Sequence, residues 1–282
     1  MPPFFSIVTI SFNQAKYLRQ CLESVVSQKD RDVEFIVVDA GSSDGSREIL
    51  QSFRSSIDHL ILEPDRGPAD GLNKGFKFAT GQIGYFINSD DFLLPGAVRL
   101  MKALWEENTN MEILLGGAWL VDEQGKPRRE LFARSASLEH FLGNRAVLVQ
   151  QGMSFKLQAM RKACGFNVNN RTCWDFELLC SMLQGGARTK SSQHRFGAFR
   201  LYDGSLSGGV NGVAHAARYS QDRARLEIAL RGARDPRHVM GLNILARLEK
   251  VVLNPELVRS RLMDSIFPGK MLKRWESDMG RV

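Results

Sequence analysis

The sequence is poor in cysteine, and its few cysteines are widely spaced. Four cysteines occur in 282 residues, and no two of them form a C-x-x-C pair. Zinc sites and disulfide frameworks in small domains are built from closely spaced cysteines, so neither is indicated. Free thiols persist in reducing compartments, and the sequence therefore predicts a cytoplasmic protein.

Long apolar runs are also missing. No stretch reaches the roughly 18 apolar residues that read as a membrane-spanning helix. The N-terminal segment MPPFFSIVTISF has no basic part before its apolar part and no small-residue cleavage site. It predicts a first β-strand rather than a signal peptide. No G-x-G-x-x-G motif follows this strand, which argues against the dinucleotide site of a dehydrogenase.

Basic residues are concentrated near the C-terminus. The net charge is +7, and residues 218–282 hold 14 basic and 8 acidic residues. We predict a basic helical extension over residues 211–282. It would lie peripherally on the anionic inner face of the cytoplasmic membrane, or pack on the rest of the chain or on a second copy in a homo-oligomer. Its few aromatic residues argue against nucleic acid as a partner.

What the sequence does contain is an alternation of apolar, β-rich segments with segments of helical periodicity. The predicted strands up to about residue 120 are FSIVTISF, VEFIVVD, DHLILE, QIGYFIN and MEILLGGAWLV. Apolar strands without polar alternation predict a mostly parallel central sheet with helices on both faces. The pattern is less regular from about residue 122 to 210, where short helices and one further strand are predicted.

Each of the first four strands ends in a polar cluster. These clusters contain Asn13, Asp39, residues 63–65 and residues 88–91. In an open α/β sheet the carboxyl ends of the strands are where ligands bind. The adjacent carboxylates of Asp90 and Asp91 suit a hard divalent cation such as Mg²⁺ or Mn²⁺, although two solvated aspartates in a turn before the next helix would read the same way.

Four segments carry a family resemblance in their order along the chain. FSIVTISFNQAKYLRQCLESVVSQ, FIVVDAGSSDGS, DRGPADGLNKGFKFATGQ and YFINSDD resemble the N-terminal motifs of family 2 glycosyltransferases, which are inverting enzymes with the GT-A fold. The resemblance covers about residues 4–205. It implies a catalytic domain over residues 1–210, in which residues 1–120 bind a nucleotide sugar and residues 121–210 bind the acceptor.

The implied reaction moves a sugar from a nucleotide-diphosphate sugar, expected to be UDP-linked, to a hydroxyl of a glycan or lipid-linked acceptor. Such chemistry serves the synthesis of cell-surface polysaccharide or lipopolysaccharide. By resemblance, Asp39 binds the base, Asp90 contacts the ribose or sugar, and Asp91 ligates Mn²⁺ or Mg²⁺. The other implied donor-binding residues are Thr9, Ser11, Asn13, Asp65, Asp70, Asn73, Lys74, Gln151 and Arg200. Loop solvation and helix capping remain an alternative for Asp65 and Asp70.

An inverting transfer needs one carboxylate that takes the proton of the acceptor hydroxyl. CWDFELLCSMLQGG resembles the family segment D-[YF]-[ED]-L-x-x-x-L and implies that Asp175 is this base, with Glu177 as the second candidate. Gln150 and Tyr202 stand where the family often has histidine. These two departures leave room for another class of function, a non-catalytic nucleotide-sugar-binding or degenerate transferase subunit.

Overall fold

The computed structural model describes residues 2–143, 145–205, 208–231 and 268–280. Its strands form one nine-stranded sheet in the order β3-β2-β1-β4-β8-β6-β9-β5, with β7 paired to β6. The strands are β1 (Phe5–Ser11), β2 (Val33–Asp39), β3 (His59–Leu62), β4 (Ile83–Asn88), β5 (Phe92–Leu93), β6 (Ile113–Val121), β7 (Pro127–Leu131), β8 (Met153–Lys156) and β9 (Thr189–Arg200).

The described helices cover both faces of this sheet. They are α1 (Ala15–Val26), α2 (Ser46–Ser52), α3 (Pro68–Phe78), α4 (Ala97–Glu107), α5 (Leu138–Leu142), α6 (Leu157–Lys162), α7 (Trp174–Gln184), α8 (Gly209–Arg231) and α9 (Pro268–Asp278). Successive residues of β1 show how the core is divided. Ile7 joins a cluster with residues of α1 and α4, whereas Val8 joins a cluster with residues of α3 and α7. This alternation follows from the pleat of the strand.

The N-terminal half of the sheet is parallel, as the uninterrupted apolar strands predict. Strands β3, β2, β1 and β4 are parallel neighbours. Their register places Ser11 opposite Asp39 and Ile10 opposite Asn88. The polar residues that end these strands therefore meet at one edge of the sheet.

The second half of the sheet is mixed. Strand β8 runs antiparallel to both β4 and β6, and β5 runs antiparallel to β9, whereas β6 and β9 are parallel. Strand β7 returns along β6 after the short turn at residues 122–126, and a hairpin of this kind forces antiparallel pairing. Strand β9 brings Arg200 back to the site edge of the sheet.

The described parts of the basic C-terminal extension are helical. Helix α9 packs Met271 and Trp275 into an apolar cluster with Trp119 of β6. Residues 240–267, for which we predict membrane contact, lie outside the described residues. Within the described ranges, no helix combines the length and the apolar character needed to cross a membrane.

Candidate active site

A cavity of about 860 Å³ lies at the carboxyl ends of the N-terminal strands. Residues at or just after the ends of β1, β2, β3 and β4 form one side of it, and residues from α7, β9 and α8 contribute to the other. A volume of this size is ordinary for a small-molecule site. The predicted site residues that line it are Ser11, Asp65, Asp90, Gln151 and Asp175.

The two aspartates that follow β4 lie in different surroundings. Asp91 is 1% exposed, and its Oδ1 accepts a hydrogen bond from the backbone N–H of Arg200 at 2.8 Å. Its Oδ2 accepts one from Nε2 of Gln151 at 2.7 Å. Asp90 lines the cavity, and the hydroxyl of Tyr202 lies 3.3 Å from its Oδ2. The cavity therefore presents Asp90, whereas protein donors occupy Asp91.

Burial dominates the electrostatics of this pair. It raises the pKa of Asp91 well above its ordinary value, and the neighbouring Asp90 carboxylate raises it further. Burial also raises the pKa of Asp90, against the hydrogen bond from Tyr202 and the charge of Arg200. Two adjacent, desolvated carboxylates favour a bound cation. In this structure Asp90 is the member of the pair that lines the cavity, and the assignment of Asp91 as the metal ligand stays a prediction.

The residues that face the cavity fit a hard divalent cation held partly by substrate. Oδ1 of Asn88 is buried and has no hydrogen-bond partner among the described residues, and Asn88 lines the cavity beside Asp90. Amide and carboxylate oxygens are the ligands that Mg²⁺ and Mn²⁺ prefer. The described residues contain no cluster of three or more His, Cys, Asp or Glu suited to a metal. Such an ion would therefore complete its shell with diphosphate oxygens and water.

Asp39 and Asn13 hold the loop after β2. Asp39 is fully buried, and its carboxylate accepts hydrogen bonds from Gly41 N, from Ser42 N and Oγ, and from Arg47 Nε. Burial opposes its ionisation, but these donors outweigh burial and lower its pKa. Asn13, at φ 51°, accepts from Ser43 N. The carboxylate of Asp39 is thus enclosed by its own loop, and its contact with a base stays a prediction.

Arg200 is a structural hub rather than a cavity residue. Its Nε donates to the backbone oxygen of Asp90 at 2.8 Å, and its Nη1 donates to that of Glu123 at 2.6 Å. Its Nη2 donates to Oε1 of Gln20 at 2.5 Å, and its guanidinium lies over the ring of Tyr17. Arg200 is 2% exposed. Arg200 does not line the cavity in this structure, and its contact with the donor stays a prediction.

The expected donor-binding residues of α3 and of the loop before it form two groups. One residue lines the cavity, and the others bond to the protein's own backbone. Asp65 lines the cavity, and burial raises its pKa. Asp70 instead accepts from the backbone N–H of Arg66 at 2.9 Å, which is the capping role left open above. Asn73 bonds both the N–H and the C=O of Phe166, and Nζ of Lys74 donates to the backbone oxygen of Pro64. Thr9 is buried within β1.

The two candidate bases at the start of α7 are clearly distinguished. Asp175 lines the cavity, and burial raises its pKa to about 6, against backbone hydrogen bonds and the charge of Arg223. Both carboxylate oxygens of Glu177 accept short hydrogen bonds, from Asn167 at 2.7 Å and from Asn170 at 2.6 Å. Asp175 is therefore the carboxylate of the two that lines the cavity, and its pKa suits a base near neutral pH.

The structure adds cavity residues that sequence reasoning missed. Phe12 is 57% exposed at the cavity, and Asn88, Trp174 and His215 also line it. The signal for Asn88 was present, because it ends an apolar strand two residues before Asp90. His215 carries no such signal, since it lies on a helix beyond the resembling segments.

The family model described as glycosyl transferase family 2 matches residues 6–162, more than half of the chain. The chain therefore belongs to glycosyltransferase family 2, and it is a glycosyltransferase. Among curated relatives, the chondroitin synthase of Pasteurella multocida is 24% identical over 190 residues. The match covers 65% of this chain and 19% of the synthase, so the chain spans about a fifth of that relative.

Solved structures confirm the GT-A fold. The S. aureus TarS 1-349 complex with UDP-GlcNAc superposes with a TM-score of 0.64 at 18% identity, over 89% of this chain and 73% of that one. The mannosyltransferase PcManGT from Pyrobaculum calidifontis, in complex with GDP-Man and Mn²⁺, gives a TM-score of 0.61 at 15% identity, over 100% and 81% of the two chains. At this level of identity the likeness concerns the fold alone.

Proposed function

We propose that this enzyme transfers a sugar, with inversion, from a UDP-linked donor to a hydroxyl of a glycan or lipid-linked acceptor, and that it uses Mn²⁺ or Mg²⁺. The observation that carries the proposal is one cavity that contains both Asp90, at the strand ends, and Asp175, at the start of α7. The first suits the diphosphate end of a donor. The second suits the hydroxyl of an acceptor.

In this proposal Asn88 and Asp90 would hold the cation, and the sequence-based assignment to Asp91 stays a prediction. Both residues line the cavity, and the buried Oδ1 of Asn88 lacks a partner among the described residues. No Lys or Arg occurs among the described residues that line the cavity. When bound, a divalent cation would neutralise the charge that grows on the leaving diphosphate.

The remaining donor contacts follow from the same edge of the sheet. The buried Oγ of Ser11 has no partner among the described residues. It can donate a hydrogen bond to a hydroxyl of the nucleotide sugar or accept one from it. The exposed ring of Phe12 offers a face on which a nucleotide base can stack. UDP-GlcNAc is bound by the TarS relative, which supports a uridine nucleotide here.

Asp175 would act on the acceptor. As the acceptor oxygen forms a bond to the anomeric carbon, its proton passes to the carboxylate of Asp175. The bond between the anomeric carbon and the phosphate oxygen breaks, and its electron pair leaves with the nucleoside diphosphate. A pKa of about 6 keeps Asp175 largely ionised at pH 7, ready to receive the proton.

A donor panel tests the proposal. Purified protein would be mixed with UDP- and GDP-sugars, with and without Mn²⁺, while the melting temperature and nucleotide release are measured. One donor should raise the melting temperature only with the cation and should release its nucleotide. Asp175→Asn should keep this thermal shift but lose roughly 100-fold or more of turnover. Asp70→Asn, a carboxylate outside the cavity, is the matched control.

The same experiment separates the competing function. A chain that binds a donor with Mn²⁺ but releases no nucleotide, with or without acceptors, would be a non-catalytic binding subunit. Loss of donor binding in Asp175→Asn, or full transfer by it, would show that Asp175 is not the base. Peripheral contact of residues 240–267 with the inner face of the membrane is part of the proposal, and salt-sensitive co-sedimentation with anionic liposomes tests it.

A further inference from the structure

Helix α8 lies beyond the segment that the family model matches, yet it is docked against the start of α7. Oδ2 of Asp222 accepts hydrogen bonds from Oγ1 of Thr172 at 2.8 Å and from the N–H of Arg171 at 3.2 Å. Nη2 of Arg225 lies 3.3 Å from Oε2 of Glu177. Leu226 is buried in the main apolar cluster. These contacts place α8 beside the turn that carries Asp175.

One face of α8 continues from this turn into the cavity. His215, Tyr219 and Arg223 are spaced four residues apart and therefore share a face of the helix. The guanidinium of Arg223 lies 3.7 Å from the ring centre of Phe176, the residue after Asp175. The rings of Tyr219 and His215 are 6.1 Å apart, and His215 lines the cavity. His215 therefore occupies the acceptor side, beyond the base.

The chemistry of the cavity restricts what can lie there. Its described lining carries the carboxylates of Asp65, Asp90 and Asp175 but no Lys or Arg. An acceptor group with a phosphate or carboxylate would enter beside these charges, and the repulsion between like charges disfavours its binding when no cation compensates. The remaining wall is largely apolar and aromatic. These lining residues are Leu131, Val147, Leu148, Val149, Trp174 and Phe199. Such a wall suits the apolar face of an uncharged sugar ring.

We propose that α8 completes the acceptor subsite, that His215 contacts the acceptor, and that the subsite takes an uncharged pyranoside rather than a uronate or a sugar phosphate. The inference rests on the proposed function. The imidazole of His215 can donate or accept a hydrogen bond with a ring hydroxyl while Asp175 receives the proton of the reacting one.

Matched acceptor pairs test this selectivity. p-Nitrophenyl β-glucoside and β-glucuronide, and the corresponding galactoside and galacturonide, differ within each pair only at C6, where a carboxylate replaces the hydroxymethyl group; the matching β-xyloside, which lacks C6, shows whether the 6-hydroxyl is the acceptor. With the donor and cation found in the panel, at least one neutral pyranoside should raise UDP release above the acceptor-free rate. The rate of UDP release with that pyranoside should exceed the rate with its uronide partner by about tenfold or more. Equal use of a uronide, or no response to any neutral pyranoside, would overturn the inference.

Two substitutions on α8 locate the effect. His215→Arg places a cation at the acceptor side and should shift the ratio of uronide to pyranoside turnover upward by about tenfold, with donor KM unchanged. Ala216→Arg adds the same charge at a neighbouring, exposed position and should leave the ratio as it is. An unchanged ratio in a folded His215→Arg variant would remove His215 from the acceptor site. Acceptor-free donor hydrolysis reports on the proposed function separately, because water replaces the acceptor there.

Discussion

At the scale of single residues, adjacent side chains of the same chemistry have different tasks. Asp91 ties β4 to the backbone of β9, while Asp90 is left to the cavity. Glu177 anchors the start of α7 through Asn167 and Asn170, whereas Asp175 lines the cavity. In each pair the occupied carboxylate fixes the backbone from which the free one projects. Structural hydrogen bonds thus keep the functional group in place.

The Asp90 and Asp91 pair gives the first prediction. Asp91→Ala should lower the free energy of unfolding by about 2–3 kcal/mol, because the N–H of Arg200 and Nε2 of Gln151 lose their acceptor in a buried place. Asp90→Ala should change it by less than about 1 kcal/mol, since its carboxylate accepts hydrogen bonds from the hydroxyl of Tyr202, which also reaches Gln14, and from its own backbone N–H. Urea denaturation measures both. Asp90→Ala should also abolish the Mn²⁺-dependent thermal shift of the donor, and the reverse pattern would restore Asp91 as the ligand.

Asp175 gives the second prediction, which concerns stability. Its pKa of about 6 in the folded protein lies above the ordinary value of 3.8, so folding favours its protonated form. The stability due to that form is complete below about pH 4 and is lost as the pH rises through 6. Asp175→Asn should therefore be more stable than the native chain by about 1–3 kcal/mol at pH 7.5, with no difference at pH 4. Melting curves at both values check this, and Glu177→Gln, which disturbs the anchoring contacts, should be destabilised instead.

At the scale of elements, α9 is part of the catalytic unit although it is far along the chain. Trp275 packs edge-on against Trp119, and Oδ2 of Asp278 accepts from Nε1 of Trp119 at 2.7 Å. Asp278 also pairs with Arg195 of β9. The helix thus covers β6 and β9, the pair of strands that leads to Arg200.

The third prediction tests this role. Trp275 is 6% exposed, and Trp275→Ala should cost about 3–5 kcal/mol of unfolding free energy, because it leaves a large void. Leu272, on the same helix, is 46% exposed, and Leu272→Ala should cost less than about 0.5 kcal/mol. Equal melting temperatures for the two variants would show that α9 is dispensable for the fold.

The elements were largely readable from the sequence, and their pairing only in part. Apolar runs predicted β1 to β4 and β6 because buried parallel strands need apolar side chains on both faces. The antiparallel return of β8 and β7 has no comparable pattern. Motif positions also named residues whose side chains serve the fold, as for Asn73 and Arg200. Asn73 contacts Phe166, 93 residues away, and the side chain of Arg200 contacts Asp90, 110 residues away, and no local pattern encodes such distances.

At the scale of the whole molecule, the cavity has two sides that arise from different parts of the chain, and the proposed function assigns the donor to the first and the acceptor to the second. The strand ends supply the first, and α7, α8 and the loop at residues 147–151 supply the second. The donor side suits one bound cation, because its carboxylates and amides face inward without a cationic side chain among the described lining residues. Catalysis should therefore depend on two separable conditions, the cation and the ionised base.

The fourth prediction concerns pH. Asp175 acts as a base only when ionised, so kcat/KM at saturating Mn²⁺ should be half-maximal near pH 6 and level above it. Below that value it should fall about tenfold per pH unit. Initial rates of nucleotide release between pH 5 and 8 check the profile. A profile that is flat across this range would mean that another group takes the proton.

The fifth prediction concerns removal of the cation. Chelation with EDTA should abolish the thermal shift caused by the donor, because its diphosphate would otherwise face Asp65 and Asp90 without compensation. The melting temperature of the donor-free protein should stay within about 1 °C, since the apolar clusters that hold the core do not include the residues proposed to hold the cation. Donor binding that is undiminished in EDTA, and unchanged when Mn²⁺ or Mg²⁺ is added back, would exclude a cation requirement.

The bond between Asp91 and the N–H of Arg200 has a consequence for how the chain matures on the ribosome. The acidic end of β4 emerges early, but its partner is 109 residues further along. Until β9 has been synthesised, the adjacent carboxylates of Asp90 and Asp91 lack the hydrogen bond that the backbone N–H of Arg200 donates to Asp91. This edge of the nascent N-terminal half should therefore remain sensitive to protease. Pulse proteolysis of stalled chains should find it protected only after residue 200 has left the exit tunnel.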